Sequence, residues 1–171
     1  MKKFIALFIV LTFAAVCFAQ TDPVIGFWLS VDEKTNATTA GWRIYTENNR
    51  LLGEIVSVPN EPRGALAYTC KASYPNFPRE GNVSQMPLAG TPFIFGLVKK
   101  SNGVWENGNI IDPNDGKMYG CKINFLPAGS KVGNRTLQVD TLEVRGTIGP
   151  FGRSQYWNKT DQQTANSLWP R

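Results

Sequence analysis

The sequence contains no histidine. That absence removes Ser-His-Asp and Cys-His nucleophilic catalysis and every histidine-ligated metal site. Cysteine is scarce as well: Cys17, Cys70 and Cys121 are the only three in 171 residues. Spaced so widely, they make no cysteine-rich zinc site. There is no glycine-rich phosphate loop and no serine in a nucleophile elbow. No stretch keeps an apolar helical period over the length of an ordinary helix. Charge is sparse and mixed. The 18 basic and 13 acidic residues are scattered, and after the N-terminus only Lys99-Lys100 is an adjacent basic pair. A bias this mild favours solubility and argues against nucleic acid as a partner. The expectation is a protein that is not an enzyme, with no metal and no cofactor.

Long apolar runs are also rare, and the one present is N-terminal. Residues 4–16 are apolar, follow the basic start Met1-Lys2-Lys3, and lead into Cys17-Phe18-Ala19. This is the pattern of a secretory signal peptide, residues 1–19, cut after Ala19. The run falls short of the roughly 20 residues a membrane span needs, so no transmembrane span is expected. A lipoprotein anchor on Cys17 is the alternative, disfavoured by the bulky Val16 before it. The mature chain is then expected to be secreted or periplasmic, a monomer with one domain. In an oxidising compartment Cys70 and Cys121 can form one disulfide, worth about 4 kcal/mol in the chain-entropy model. Two separate buried thiols are the other reading, since Cys121 lies on the apolar face of its strand.

What the chain does contain is strand chemistry. Residues 25–31, 41–46, 51–58, 92–99, 104–111, 117–125, 136–148 and 153–159 are rich in β-branched and aromatic residues and are separated by turn signals. The clearest pair flanks Asp112-Pro113-Asn114-Asp115-Gly116. Pro113 removes an amide donor, the Asp and Asn side chains bond back to nearby amides, and Gly116 can take positive φ. The strand after it alternates, with Tyr119, Cys121, Ile123 and Phe125 on one face. In residues 136–148, Leu142, Val144, Gly146 and Ile148 share a face. Leu137 and Val139 are out of phase with them, so a bulge near Asp140-Thr141 is expected. Residues 59–87 carry five prolines and hold no period. They read as a long loop, either a lid or an excursion, with Tyr68, Tyr74 and Phe77 to pin it and a weak helical signal at residues 64–68. Residues 160–171 read as a polar tail.

Eight strands with short connections predict an all-β fold, an antiparallel up-and-down barrel over residues 20–159. Such a barrel is filled by side chains or holds one small ligand. A two-sheet sandwich is the rival.

Several motifs go further. Gly26-Phe27-Trp28 resembles the Gly-x-Trp start of lipocalins, in which the Trp plugs one barrel end and a late Arg lies across it. The resemblance implies Trp28 as plug and Arg153, or Arg145, as its cap, a cation–π contact worth roughly 1–2 kcal/mol. Gly26-x-Trp28 is followed in order by Trp105-x-x-Gly108-x-Ile110 and by Asp112-Pro113-x-x-Gly116-Lys117-x-Tyr119-x-Cys121. Val144-Arg145-Gly146 and Gly152-Arg153-x-Gln155-x-Trp157 complete the set. The set is similar to the bacterial secreted family called domain of unknown function 2147, which is regarded as lipocalin-like. The resemblance implies the barrel and no particular activity. Members commonly carry Cys-x-x-Cys before the fourth strand. Here Cys70-Lys71-Ala72-Ser73 ends in Ser, which undercuts any metal or redox role for that pair.

Trp28, Trp42, Trp105, Tyr119 and Trp157 are strand aromatics, able to stack on a ligand or to fill the core. With Arg145 they form the candidate ligand-binding set. Two functions fit. One is a barrel that binds a small apolar or amphipathic ligand. The other is a filled barrel that acts as a structural or interaction protein with a partner in the cell envelope.

Overall fold

A computed structural model describes residues 21–170. The signal peptide, its cleavage after Ala19 and the Cys17 anchor lie outside the described residues. Eight strands close into one barrel: β1 Gly26–Val31, β2 Thr38–Glu47, β3 Arg50–Ser57, β4 Ile94–Ser101, β5 Val104–Ile111, β6 Met118–Leu126, β9 Thr141–Ile148 and β10 Phe151–Thr160. Each is antiparallel to its neighbours, in the order β1-β10-β9-β6-β5-β4-β3-β2. The remaining pair, β7 Lys131–Val132 and β8 Arg135–Thr136, is a separate small hairpin in the connection from β6 to β9. Closure leaves no exposed sheet edge in the barrel. This is the expected meander. Among the described residues no helix is long and apolar enough to cross a membrane.

An up-and-down path alternates its connections between two ends. At one end lie the N-terminal residues and the connections β2–β3, β4–β5 and β6–β9. At the other lie the connections β1–β2, β3–β4, β5–β6 and β9–β10. Period-two alternation sends every second side chain inward. Near the first end those side chains are large and fully buried: Trp28, Ile44, Leu51, Leu97, Ile123 and Leu142. That end is closed.

Three expectations are corrected. The seventh barrel strand begins at Thr141 rather than at residue 136, because residues 135–136 belong to the small hairpin. Asp140 ends that connection. Its carboxylate accepts from the Ala128 amide at 3.0 Å and its carbonyl accepts from the Lys159 amide at 2.8 Å. The apolar phase change is therefore a strand start and not a bulge.

The polar tail is docked. A short helix, α1 Gln162–Ala165, is capped by Asp161, whose carboxylate accepts from the Thr164 amide at 2.8 Å. Ala165 is fully buried on the outer barrel face. The Ser57 hydroxyl donates to its carbonyl and accepts from the Leu168 amide. A Cβ at Gly41 would collide with that same carbonyl, so Gly41 permits the docking. Trp169 packs against the core.

The long loop is packed in too. Ala67, Cys70, Tyr74, Val83 and Leu88 are buried. The Tyr74 hydroxyl donates to the Gly116 carbonyl at 2.7 Å, and Phe77 meets Phe95 edge-on at 5.4 Å. Tyr68 pins nothing and is exposed. The helical turn is a 3-10 turn at Val83–Gln85, with Asn82 as its cap, and not at residues 64–68.

Candidate functional site

At the second end the inward side chains shrink. Ser30 follows Trp28 on β1, Ala40 precedes Trp42 on β2, and Gly146 follows Val144 on β9. They leave a cavity of about 740 Å³ that opens between the connections. A Cβ placed at Gly146 would meet its first neighbour only at 3.7 Å, on Tyr119. A methyl group there would therefore fit in ordinary contact with Tyr119 and Ile110.

The floor is aromatic. Trp42 and Trp157 stack with ring centroids 4.6 Å apart and planes 26° apart. Both indole N–H groups are engaged, Trp42 donating to the Ser30 hydroxyl and Trp157 to the Gln155 carboxamide oxygen, each at 3.1 Å. The two rings cover each other's faces and are nearly fully buried, with only their margins bordering the cavity. Ile55, Ile110, Tyr119 and Val144 continue the wall. Toward the mouth the lining turns polar, with Thr39, Thr69, Asn60, Asn114 and Gln155 beside the apolar side chains.

The mouth has an apolar rim. Leu66, Tyr68, Ile148 and Phe151 are 46%, 63%, 60% and 74% exposed, and all four border the cavity. Exposed apolar side chains are thus gathered around one opening.

Two of the four mouth connections share one turn geometry. In the β5–β6 turn the Asp112 amide donates to the Lys117 carbonyl, and the Gly116 amide donates back to the Asp112 carbonyl, at 2.9 and 2.8 Å. In the β1–β2 turn the Asp32 amide donates to the Ala37 carbonyl, and the Asn36 amide donates to the Asp32 carbonyl, at the same distances. Each Asp uses one carboxylate oxygen to cap amides further along its turn. Gly116 and Asn36 take the positive φ, 71° and 60°. The oxygens of Asp112–Gly116 thus make turn hydrogen bonds. Among the described residues no cluster of three or more His, Cys, Asp or Glu side chains is placed to hold a metal.

The sequence candidates divide. Trp42, Tyr119 and Trp157 line the cavity. Trp28, Trp105 and Arg145 do not. Trp28 lies at the closed end, donates from its indole to the Val24 carbonyl at 2.9 Å, and meets Phe125 edge-on at 6.4 Å. Trp105 is buried at that end as well, with Lys99 Nζ 5.9 Å from its ring. Lys99 pairs with the buried Asp22 carboxylate at 2.8 Å. Burial raises the Asp22 carboxyl pKa, but Lys99 and the amides of Val24 and Gly103 outweigh it and hold the group below its ordinary value. Arg145 is exposed on the outer face and donates to the Ser154 hydroxyl at 3.3 Å.

The cap over Trp28 is Lys159, with Nζ 4.2 Å from the ring, and not Arg153. Trp28 pairs in register with Lys159. Arg153 lies on the same face of β10 about 20 Å away, at six residues of about 3.3 Å each. There it borders the mouth and pairs with Glu33 at 3.0 Å.

Cys70 and Cys121 are unbonded buried thiols. Cys70 lies against Gly116, five residues before Cys121 along the strand. That separation, on the order of 15 Å along the strand, is beyond the ~7 Å reach of a disulfide between Cα atoms. Burial raises both thiol pKa values, that of Cys121 to about 12, so neither is a ready nucleophile.

Sequence reasoning missed Ser30, Ile55, Gly146, Ile148 and Phe151 as cavity residues. The alternation had already put Gly146 and Ile148 on the inward face. The available signal was a glycine where an inward side chain belongs.

A solved structure, described as protein HP1028 from the human pathogen Helicobacter pylori and as belonging to the lipocalin family, superimposes with a TM-score of 0.59. It is 13% identical, and the match covers 86% of this chain and 90% of that one. At that identity the likeness establishes the fold, a lipocalin-like barrel. No curated protein matches the sequence. The model of one family, described as "Uncharacterized protein conserved in bacteria (DUF2147)", matches residues 26–159, and the chain belongs to that family.

Proposed function

We propose that the protein is a secreted or periplasmic binding barrel that takes up a small apolar or amphipathic molecule through its open end. The observation that carries this reading is the cavity of about 740 Å³ with the Trp42–Trp157 stack as its floor. Its volume falls within the range of pockets that enclose drug-sized ligands. The exposed Leu66, Tyr68, Ile148 and Phe151 offer an apolar molecule a first contact at the mouth. On this reading the chain acts by binding; its two mature thiols are buried, and it has no histidine to activate a nucleophile. Export follows from the N-terminal pattern, and the mature protein begins at Gln20. A filled barrel acting only through its outer surface is disfavoured by the cavity.

Native mass spectrometry of protein purified from its own host tests the reading. One small molecule per chain, lost on denaturation, is expected, on a polypeptide whose mass starts at Gln20. A ligand-free mass would count strongly against it.

A further inference from the structure

We propose that the cavity selects its ligand by head-group charge, taking an uncharged or cationic amphiphile and rejecting an anionic one with the same tail. This rests on the reading of the cavity as a binding site.

Four charged side chains border the cavity: Asp32, Glu61, Asp112 and Arg153. Arg153 is the only cation among them, and Glu33 already holds its guanidinium at 3.0 Å. Asp32, Glu61 and Asp112 form no ion pair among the described residues. The two aspartates sit in the matching turns. In a closed ring of eight strands, the β1–β2 and β5–β6 connections lie opposite one another. A molecule entering the mouth therefore passes a carboxylate on each side. Lys34, Arg63, Lys71, Arg79 and Lys117 belong to mouth connections as well, but none borders the cavity.

The depth of the site holds no cation to receive an anion. Both floor indole N–H groups are spent on Ser30 and Gln155. The Tyr119 hydroxyl and the Gln155 carboxamide remain as neutral polar groups in the wall. Those suit an alcohol, amide or ammonium head. A carboxylate or phosphate would lose water and meet three carboxylates at the border of the cavity, against one guanidinium already paired with Glu33.

The test uses mature protein and three probes with one tail: decanol, decylammonium and decanoate. Each is kept below its micelle concentration and displaces the neutral dye N-phenyl-1-naphthylamine near neutral pH. At low salt, decanol and decylammonium are expected to bind at least tenfold more tightly than decanoate. The gap between decylammonium and decanoate should narrow at about 0.5 M salt, where screening shortens the reach of the rim charges. Glu61→Gln with Asp112→Asn keeps the turn acceptors and should shrink the same gap severalfold. Glu33→Gln releases Arg153 and should strengthen decanoate while leaving decanol unchanged. Decanoate binding as tightly as decanol overturns the charge selection but leaves the binding cavity standing. A gap untouched by salt and by the paired substitution also overturns it. Failure of the dye and all three probes to bind overturns both readings together.

Discussion

The two ends of the barrel are built from the same strands and differ in what those strands send inward. At the closed end Trp28, Ile44, Leu51, Ile123 and Leu142 fill the lumen. Two polar groups buried there are matched, Asp22 by Lys99 and by the Val24 and Gly103 amides, and the Trp28 indole by the Val24 carbonyl, whereas the Trp105 indole N–H has no hydrogen-bond partner among the described residues. At the open end Ser30, Ala40 and Gly146 take the equivalent inward positions, and a void remains. Apolar side chains that would be buried in a filled barrel stand exposed on its rim. The difference separates two tasks that compete in a small domain. Dense packing at one end supplies stability, and incomplete packing at the other leaves room for a guest.

That division can be broken end by end. Trp28→Ala should have the largest effect, a loss of about 3–5 kcal/mol in urea unfolding, because it empties a fully enclosed site. A cost below about 1 kcal/mol would mean that the closed end is not the stabilising half. Asp22→Asn should come next, at about 2 kcal/mol near pH 7, since it weakens a buried charge-assisted pair. Its sign with pH follows from the lowered carboxyl pKa. The contribution is complete above the unfolded value near 3.9 and is lost as pH falls through the depressed folded value. The stability difference between wild type and Asp22→Asn should therefore fade on acidification. A difference that stays constant down to pH 2 would show that the charge is irrelevant.

Lys159→Met should cost about 1 kcal/mol by removing the cation over Trp28. Burial lowers the Lys159 pKa, which limits the net gain from that contact. A stabilised variant would show that the cost of desolvating the ammonium dominates. Phe151→Ser should have the smallest effect on stability, within about 0.5 kcal/mol, because the ring is exposed. It should slow ligand uptake in stopped-flow fluorescence. An unchanged uptake rate would remove the rim from the entry path.

Much of the fold could be read from alternation and turn chemistry. All eight barrel strands, their meander order and the inward face of residues 142–148 follow from local rules that act over a few residues. The corrected points depend on contacts far apart in the chain. Lys159 rather than Arg153 covers Trp28 because both lie on one face of β10, and only the pairing register between the first and last strands selects between them. Docking of the tail depends on a glycine at position 41 and a hydroxyl at Ser57, more than 100 residues from Ala165. The Cys70–Cys121 pairing failed for the same reason, since distance along a strand is invisible until the loop is placed. Of the aromatic set, Trp42, Tyr119 and Trp157 come together, whereas Trp105 and Trp28 serve the other end. Aromatic identity marks inward positions but not which end they occupy.

The most direct test of the division fills the void without touching the closed end. Gly146 lines the cavity, and a Cβ there makes only ordinary contacts, so Gly146→Leu directs a side chain toward the void. N-phenyl-1-naphthylamine titrations, read by energy transfer from tryptophan, would be run on wild type and variant alongside thermal melts. Saturable one-to-one binding to wild type, weakened at least tenfold in the variant at a nearly unchanged Tm, is the expected result. Equal binding by both proteins, or no saturable binding by wild type, would contradict a ligand cavity at the open end.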